Sequence, residues 1–188
     1  MSRAVISLGS NVEKEKNMPA AVVLIGQRCR LLAVSPVYET LPMGLRDQGN
    51  FFNAAVLVET ARSPGELKEE VLDWLENELG RVRREDKNAP RTIDADLTLY
   101  DGEILDYKGH HVPDPDLLRF AHVAVPVADL LPQEHHPETG EPLPALAERL
   151  AARAARKYGT QVLWPRPDFD LLTASQSPPG EPPADSGR

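Results

Sequence analysis

Three features of the 188-residue sequence place it in the α+β class. Short apolar runs of strand period are interleaved with amphipathic stretches of helical period. They fall in the order strand, helix, strand, strand, helix, strand, and Gly, Pro and Asp-Gly pairs mark the turns. That order predicts a ferredoxin-like βαββαβ antiparallel sheet with its helices on one face, extended by a C-terminal helix and a hairpin. Residues 1–164 are expected to form this domain. Residues 165–188, rich in Pro, Ser and acids, are expected to be a peripheral segment that passes into a disordered tail.

Residues 4–8 are apolar and end at Gly9-Ser10-Asn11, which predicts a buried central strand closed by a turn. No Gly-Lys-Ser/Thr follows, so a Walker-type phosphate cradle is absent. Residues 13–29 carry Ala21, Val22, Leu24 and Ile25 at near-helical spacing, with acids early and Arg28 late, as the helix dipole favours. Pro19 is placed near the start of this helix. Residues 31–38 predict a second strand, running into a loop over 39–49. A connection of that length in a compact domain is often functional.

The third strand covers residues 51–60. Phe51, Asn53, Ala55 and Leu57 share one face; Phe52, Ala54, Val56 and Val58 share the other. An aromatic ring beside an amide suits a flat, hydrogen-bonding heterocycle; taken alone, the pairing is more often core packing with a satisfied amide. Ser63-Pro64-Gly65-Glu66 opens a second helix with a capping box, and Gly80 closes it. Its apolar stripe is Leu67, Val71, Trp74, Leu75 and Leu79. Its acids form a solvated face, with Asp73 and Glu76 nearest the basic stretch that follows.

That stretch, residues 80–99, organises the chain. Arg81, Arg83, Arg84, Lys87 and Arg91 set five positive charges against Glu85 and Asp86. Then Ile93, Ala95, Leu97 and Leu99 alternate with Thr92, Asp94, Asp96 and Thr98, the period of a half-buried fourth strand, so both carboxylates leave one face. Two residues along a strand span about 6.5–7 Å, a separation at which two carboxylates can share a hard cation such as magnesium together with substrate phosphates. Arginine forks match phosphate oxygens in pairs. The same pattern also fits a solvated strand face beside a surface turn. Asp101-Gly102 predicts a hairpin turn into residues 103–107, and residues 142–158 a third amphipathic helix. His135 and His136 are expected at the surface of a Pro-rich turn, because adjacent histidines lack the spacing of a zinc pair.

A net charge of −8 argues against nonspecific nucleic-acid binding. The single cysteine, Cys29, excludes an internal disulfide and a multi-cysteine zinc site and fits a reducing compartment. No apolar run is long enough to span a bilayer and no signal-like segment opens the chain, which predicts a soluble, cytoplasmic protein without a membrane partner.

Arg81-Val82-Arg83-Arg84 followed by Pro90-Arg91-Thr92-Ile93-Asp94-Ala95-Asp96-Leu97 resembles the signature of the 6-hydroxymethyl-7,8-dihydropterin pyrophosphokinase family of folate biosynthesis. Residues 7–11 (Ser-Leu-Gly-Ser-Asn), 38–44 (Tyr-Glu-Thr-Leu-Pro-Met-Gly) and 50–56 (Asn-Phe-Phe-Asn-Ala-Ala-Val) agree in order and spacing, so the resemblance covers roughly residues 3–130. It implies a transferase that moves a diphosphoryl group from ATP to the hydroxymethyl oxygen of the pterin and releases AMP. Position by position, it implies Asp94 and Asp96 as ligands of magnesium, two ions in all, with Arg81, Arg83 and Arg91 completing the catalytic set. It implies Thr40, Pro42, Met43, Phe51, Asn53 and His122 around the pterin, and Glu76, Arg83, Arg84, Arg91, His111 and Arg119 around ATP.

The chain departs from the family pattern at Asn88, where a tryptophan is usual; at Asp114, where a histidine follows Val-Pro; at Phe120, where an arginine stands; and at His122, in place of a stacking aromatic. These departures motivate an alternative: a weakly active or inactive relative that binds pterin or nucleotide as a regulatory or scaffold protein. An RNA-binding module is disfavoured, because the sheet lacks aromatic pairs for base stacking. The expected partners are small-molecule substrates, and the expected state is a monomer or weak dimer.

Overall fold

The computed structural model describes residues 1–42, 48–82, 89–159 and 161–176. Its main sheet holds β1 (Ser2–Ser10), β2 (Arg30–Val34), β3 (Tyr38–Thr40), β4 (Phe51–Thr60), β5 (Asp94–Tyr100) and β8 (Leu163–Pro165), in the order β5-β1-β4-β3-β8 with β2 also on β4. Every pairing is antiparallel. β6 (Leu105–Tyr107) and β7 (His110–Val112) form a separate hairpin. The α+β class and the antiparallel sheet are therefore as expected.

The predicted second strand is split. Ser35 interrupts it, donating its N–H to the Ala55 carbonyl at 2.9 Å while its hydroxyl accepts from the Ala55 N–H at 2.9 Å. Pro36 follows with no N–H to offer. The chain therefore pairs with β4 in two pieces instead of one.

Helices cover both faces of the sheet, which corrects the expectation of one. On the first face lie α1 (Lys14–Arg28) and a continuous helix made of α2 (Pro64–Leu67), a π-helical turn over Lys68–Asp73 and α3 (Trp74–Glu78). They bury Ala4, Ile6, Leu8, Phe52, Ala54, Val56 and Val58 of the sheet. On the second face lie α4 (Ala121–Leu130) and α5 (Leu143–Tyr158), over Val5, Ala55, Leu57 and Leu99. The two strand faces of β4 divide as the alternation predicted.

β5 departs from simple alternation. Ile6 pairs with Leu97 and Val5 with Leu99, so Thr98 is an extra residue on β5, a β-bulge. Leu97 consequently packs under the first face and Leu99 under the second. The bulged Thr98 carbonyl accepts the Asp114 N–H at 3.0 Å, which ties the chain after β7 to the sheet beside the carboxylates.

Further expectations change. Asp101 and Gly102 do turn with positive φ, but residues 103–107 do not fold back on β5; Leu105–Tyr107 pairs with His110–Val112 instead. Pro19 lies buried inside α1, not at its start. His136 is buried, 1% exposed, rather than at the surface. Pro165 sits inside β8, Phe169 meets Phe52 with ring centroids 5.2 Å apart, and Leu171 of α6 (Leu171–Gln176) is 2% exposed in the first core. The expected boundary after residue 164 therefore falls within an element.

Candidate active site

The ends of β1, β4 and β5 converge on the second face. Gly9 pairs with both Asn53 and Asp94, and Ser7 with Asp96. These residues line a cleft of about 630 Å³ whose other walls include Thr40, Phe51, Arg91, Asp114, Phe120 and His122. Asp94 and Asp96 thus share one face, as period-two spacing requires.

The helix end on the first face delivers one guanidinium. Gly80, at φ +67°, stops the helix: its N–H bonds to the Asn77 carbonyl at 3.0 Å and the Arg81 N–H to the Glu76 carbonyl at 2.9 Å. This double closure is the Schellman geometry, which needs a residue free to adopt positive φ. It turns Arg81 back under the strand, where Nη1 bonds Glu76 Oε1 at 2.5 Å, the Ile93 carbonyl at 3.2 Å and Asp94 Oδ1. Arg91 Nη1 takes the other oxygen of Asp94. The Arg91 backbone N–H donates to Asn11 Oδ1 at 2.8 Å, and its carbonyl accepts from the Asn11 and Val12 N–H groups, each at 3.2 Å. The turn after β1 therefore holds the residue that neutralises Asp94.

The two carboxylates are shifted in opposite directions. Burial alone would raise Asp94, but Arg81 and Arg91 outweigh it and hold its carboxyl below the usual carboxylate range. Asp96 is pushed up, first by loss of solvent and then by Asp94, with Asp114 and Glu76 adding repulsion against the ammonium of Lys68. Asp114 is raised too, chiefly by burial. Burial pushes His122 down to about 4 despite the opposing charge of Asp94, so it faces the cleft as a neutral ring at pH 7.

Among the described residues, no group of three or more His, Cys, Asp or Glu side chains could hold a metal ion. Two carboxylates on one strand face, offering oxygen as the ligand atom, fit a hard divalent ion that takes its remaining oxygens from water and phosphate.

The remaining predicted residues are distributed as follows. Phe51 lies in the cleft with the Arg91 guanidinium 5.8 Å from its ring centroid. Asn53 Nδ2 donates to Thr40 Oγ1 at 2.9 Å, and its amide oxygen is next to Gly9. His122 stacks on Phe120 with centroids 5.2 Å apart. Pro42 and Arg119 line not this cleft but an adjoining, more apolar cavity of about 480 Å³ against α5; Arg119 pairs with Asp116 at 3.6 Å. Glu76 does not face the cleft: 3% exposed, it accepts the Ala95 N–H at 3.1 Å behind the strand and positions Arg81. His111 lies between Asp106 and Glu138, at 2.7 and 2.9 Å, on the wall of a 240 Å³ recess that also holds Asp96 and Asp114. Met43, Arg83 and Arg84, with Asn88, lie outside the described residues.

Sequence reasoning passed over Lys68, whose acidic neighbours suggest a solvated face, and Lys157 and Tyr158 at the end of α5, which border both cavities. It noted Asp114 only as a departure.

Paired strand carboxylates, a guanidinium from each side and an aromatic-walled cleft on an antiparallel α+β scaffold are the kind of parts that phosphoryl-transferring enzymes use. The family whose profile matches residues 5–132 is described as 7,8-dihydro-6-hydroxymethylpterin-pyrophosphokinase, and the chain belongs to it. The protein of Bacillus subtilis named 2-amino-4-hydroxy-6-hydroxymethyldihydropteridine pyrophosphokinase is 38% identical over 133 residues, 69% of this chain and 78% of that one. Its namesake in Pseudomonas aeruginosa is 35% identical over 149 residues, 78% and 90% of the two chains. The folic acid synthesis protein fol1 of Schizosaccharomyces pombe is 32% identical over 160 residues, and this chain spans 22% of its length. A solved HPPK-DHPS structure from Plasmodium falciparum superposes with a TM-score of 0.65 at 13% identity, over 86% of this chain and 46% of that one, a likeness of fold.

Proposed function

We propose that this chain transfers a diphosphoryl group from ATP to the hydroxymethyl oxygen of 6-hydroxymethyl-7,8-dihydropterin, giving the pterin diphosphate and AMP in folate biosynthesis. The observation that carries the proposal is the placing of Asp94 and Asp96 on one face of β5, inside a cleft shared with Phe51, Asn53 and Arg91. Phe51 and the neutral His122 offer flat apolar surfaces to the pterin ring, and the Asn53–Thr40 pair offers polar atoms to its edge. Asp94 and Asp96 hold magnesium, two ions in our reading, and the bound metal supplies neutralisation of the phosphate charge. Arg91 on the cleft wall and Arg81 behind Asp94 add fixed positive charge beside the carboxylates that the phosphates would approach, and Glu76 keeps Arg81 oriented. Catalysis then rests on positioning and charge compensation, as phosphoryl transfer requires. We read the β1 to β5 path as a ferredoxin-like βαββαβ unit, supported by its antiparallel order, and the protein as a cytoplasmic monomer or weak dimer.

Incubation with ATP, magnesium and the reduced pterin should yield AMP in proportion to pterin consumed. An Asp96→Asn variant should keep its fold and lose that yield. AMP formation no higher than with Asp96→Asn would refute the enzymatic reading, and tight pterin or nucleotide binding in the same samples would favour a binding role.

A further inference from the structure

Lys68 is buried where the two glutamates after it are not. Glu69 and Glu70 are exposed, whereas the Lys68 side chain is 9% exposed. It opens the π-helical turn Lys68–Asp73. A π turn carries an extra residue in the helical circuit and is frequent at functional sites; Lys68 shares the buried side of this helix with Val71, Leu72 and Leu75. The ammonium lies 3.3 Å from Asp73 Oδ1, 3.9 Å from Asp96 Oδ1 and 3.5 Å from the Ala95 carbonyl oxygen, and it forms one wall of the recess shared with Asp96, Asp114 and His111. The division of charge is unequal: Asp94 has a guanidinium on each oxygen, while the cation beside Asp96 among the described residues is Lys68. A buried ammonium is costly unless anions compensate it, and here Asp73 and Asp96 do so from opposite elements.

We propose that Lys68 is the resident counter-ion of Asp96, a positioning residue that fixes this carboxylate before a divalent ion arrives and sets how tightly the free protein takes that ion. The inference deepens the reading of Asp96 as a metal-holding residue and rests on it. An ammonium within 4 Å of the carboxylate repels an incoming divalent cation, so Lys68 weakens metal binding until phosphates contribute their own negative charge. Asp73 moderates the effect by drawing the ammonium toward the helix.

The test is titration of the whole protein with Mn2+ alone at about pH 8, following free Mn2+ by electron paramagnetic resonance, with circular dichroism as the check on folding. Lys68→Met should bind Mn2+ roughly ten-fold more tightly than wild type, and Lys68→Arg, which keeps the charge, should stay within about two-fold. Asp73→Asn, which releases the ammonium toward Asp96, should bind more weakly. A merely structural lysine predicts unchanged or weaker binding in Lys68→Met, and that result overturns the proposal. If Lys68→Met does not fold, unchanged Mn2+ affinity in Asp73→Asn overturns it equally. Asp96→Asn separates the two layers: if it binds Mn2+ as well as wild type, the metal reading itself fails, whereas its loss of binding with an unaltered Lys68→Met rejects only the role of Lys68.

Discussion

Glu76 joins three elements through one carboxylate oxygen, and cutting that joint has a calculable effect. It is 3% exposed and accepts the Ala95 N–H at 3.1 Å and Arg81 Nη1 at 2.5 Å. Glu76→Ala leaves the Ala95 N–H unsatisfied, at about 1–3 kcal/mol. It also removes one anion from a guanidinium that is 16% exposed; breaking a buried pair costs about 3–5 kcal/mol, here reduced because Arg81 keeps Asp94. A total near 3–5 kcal/mol is expected, which for a chain of this size lowers Tm by about 6–20 °C. Glu76→Gln keeps an oxygen for Ala95 and should cost about 1–2 kcal/mol. Urea unfolding followed by far-ultraviolet circular dichroism at pH 7 measures both. The reasoning is refuted if Glu76→Ala lies within about 1 kcal/mol of wild type, or if Gln is as damaging as Ala.

Other outcomes follow from the same geometry. Burial would raise Glu39, but Lys14 at 2.8 Å and Arg166 at 2.7 Å outweigh it and hold its pKa below the ordinary value. Stability from this depressed carboxylate is present above its unfolded pKa of about 4.3 and is lost as pH falls through the lower folded value. The stability difference between wild type and Glu39→Gln should therefore be full at pH 7 and shrink toward zero near pH 3, by urea unfolding at each pH. His122, pushed down to about 4, should show no nuclear magnetic resonance titration step between about pH 5.5 and 8, where an ordinary histidine shows its midpoint near 6.5. Leu171→Ala, at a side chain 2% exposed in the first core, should cost about 2–5 kcal/mol of unfolding free energy; a loss below about 0.5 kcal/mol would show that the C-terminal helix is not part of the cooperative unit.

The strand faces of β4 and the shared face of Asp94 and Asp96 were legible because period-two alternation reports side-chain direction directly. The bulge at Thr98 was not: one inserted residue flips Leu99 without altering the composition of the run. α4 was missed because Ala121–Leu130 is apolar nearly all round and contains Pro126, so it lacks the stripe that marks an amphipathic helix. Lys68 was illegible because a lysine followed by two glutamates suggests solvent, although its spacing to Val71, Leu72 and Leu75 sets it on the buried side of the helix. The split of the second strand turned on one serine hydroxyl, the kind of local hydrogen bond that propensity does not register.

The outer margin of the sheet is a three-residue strand ending in Pro165, paired on its inner side with β3. A margin so brief, with an imino acid that cannot donate, offers a neighbouring polypeptide almost nothing to zip onto. Concentrated solutions of the folded protein should consequently resist filament growth by strand addition along that border.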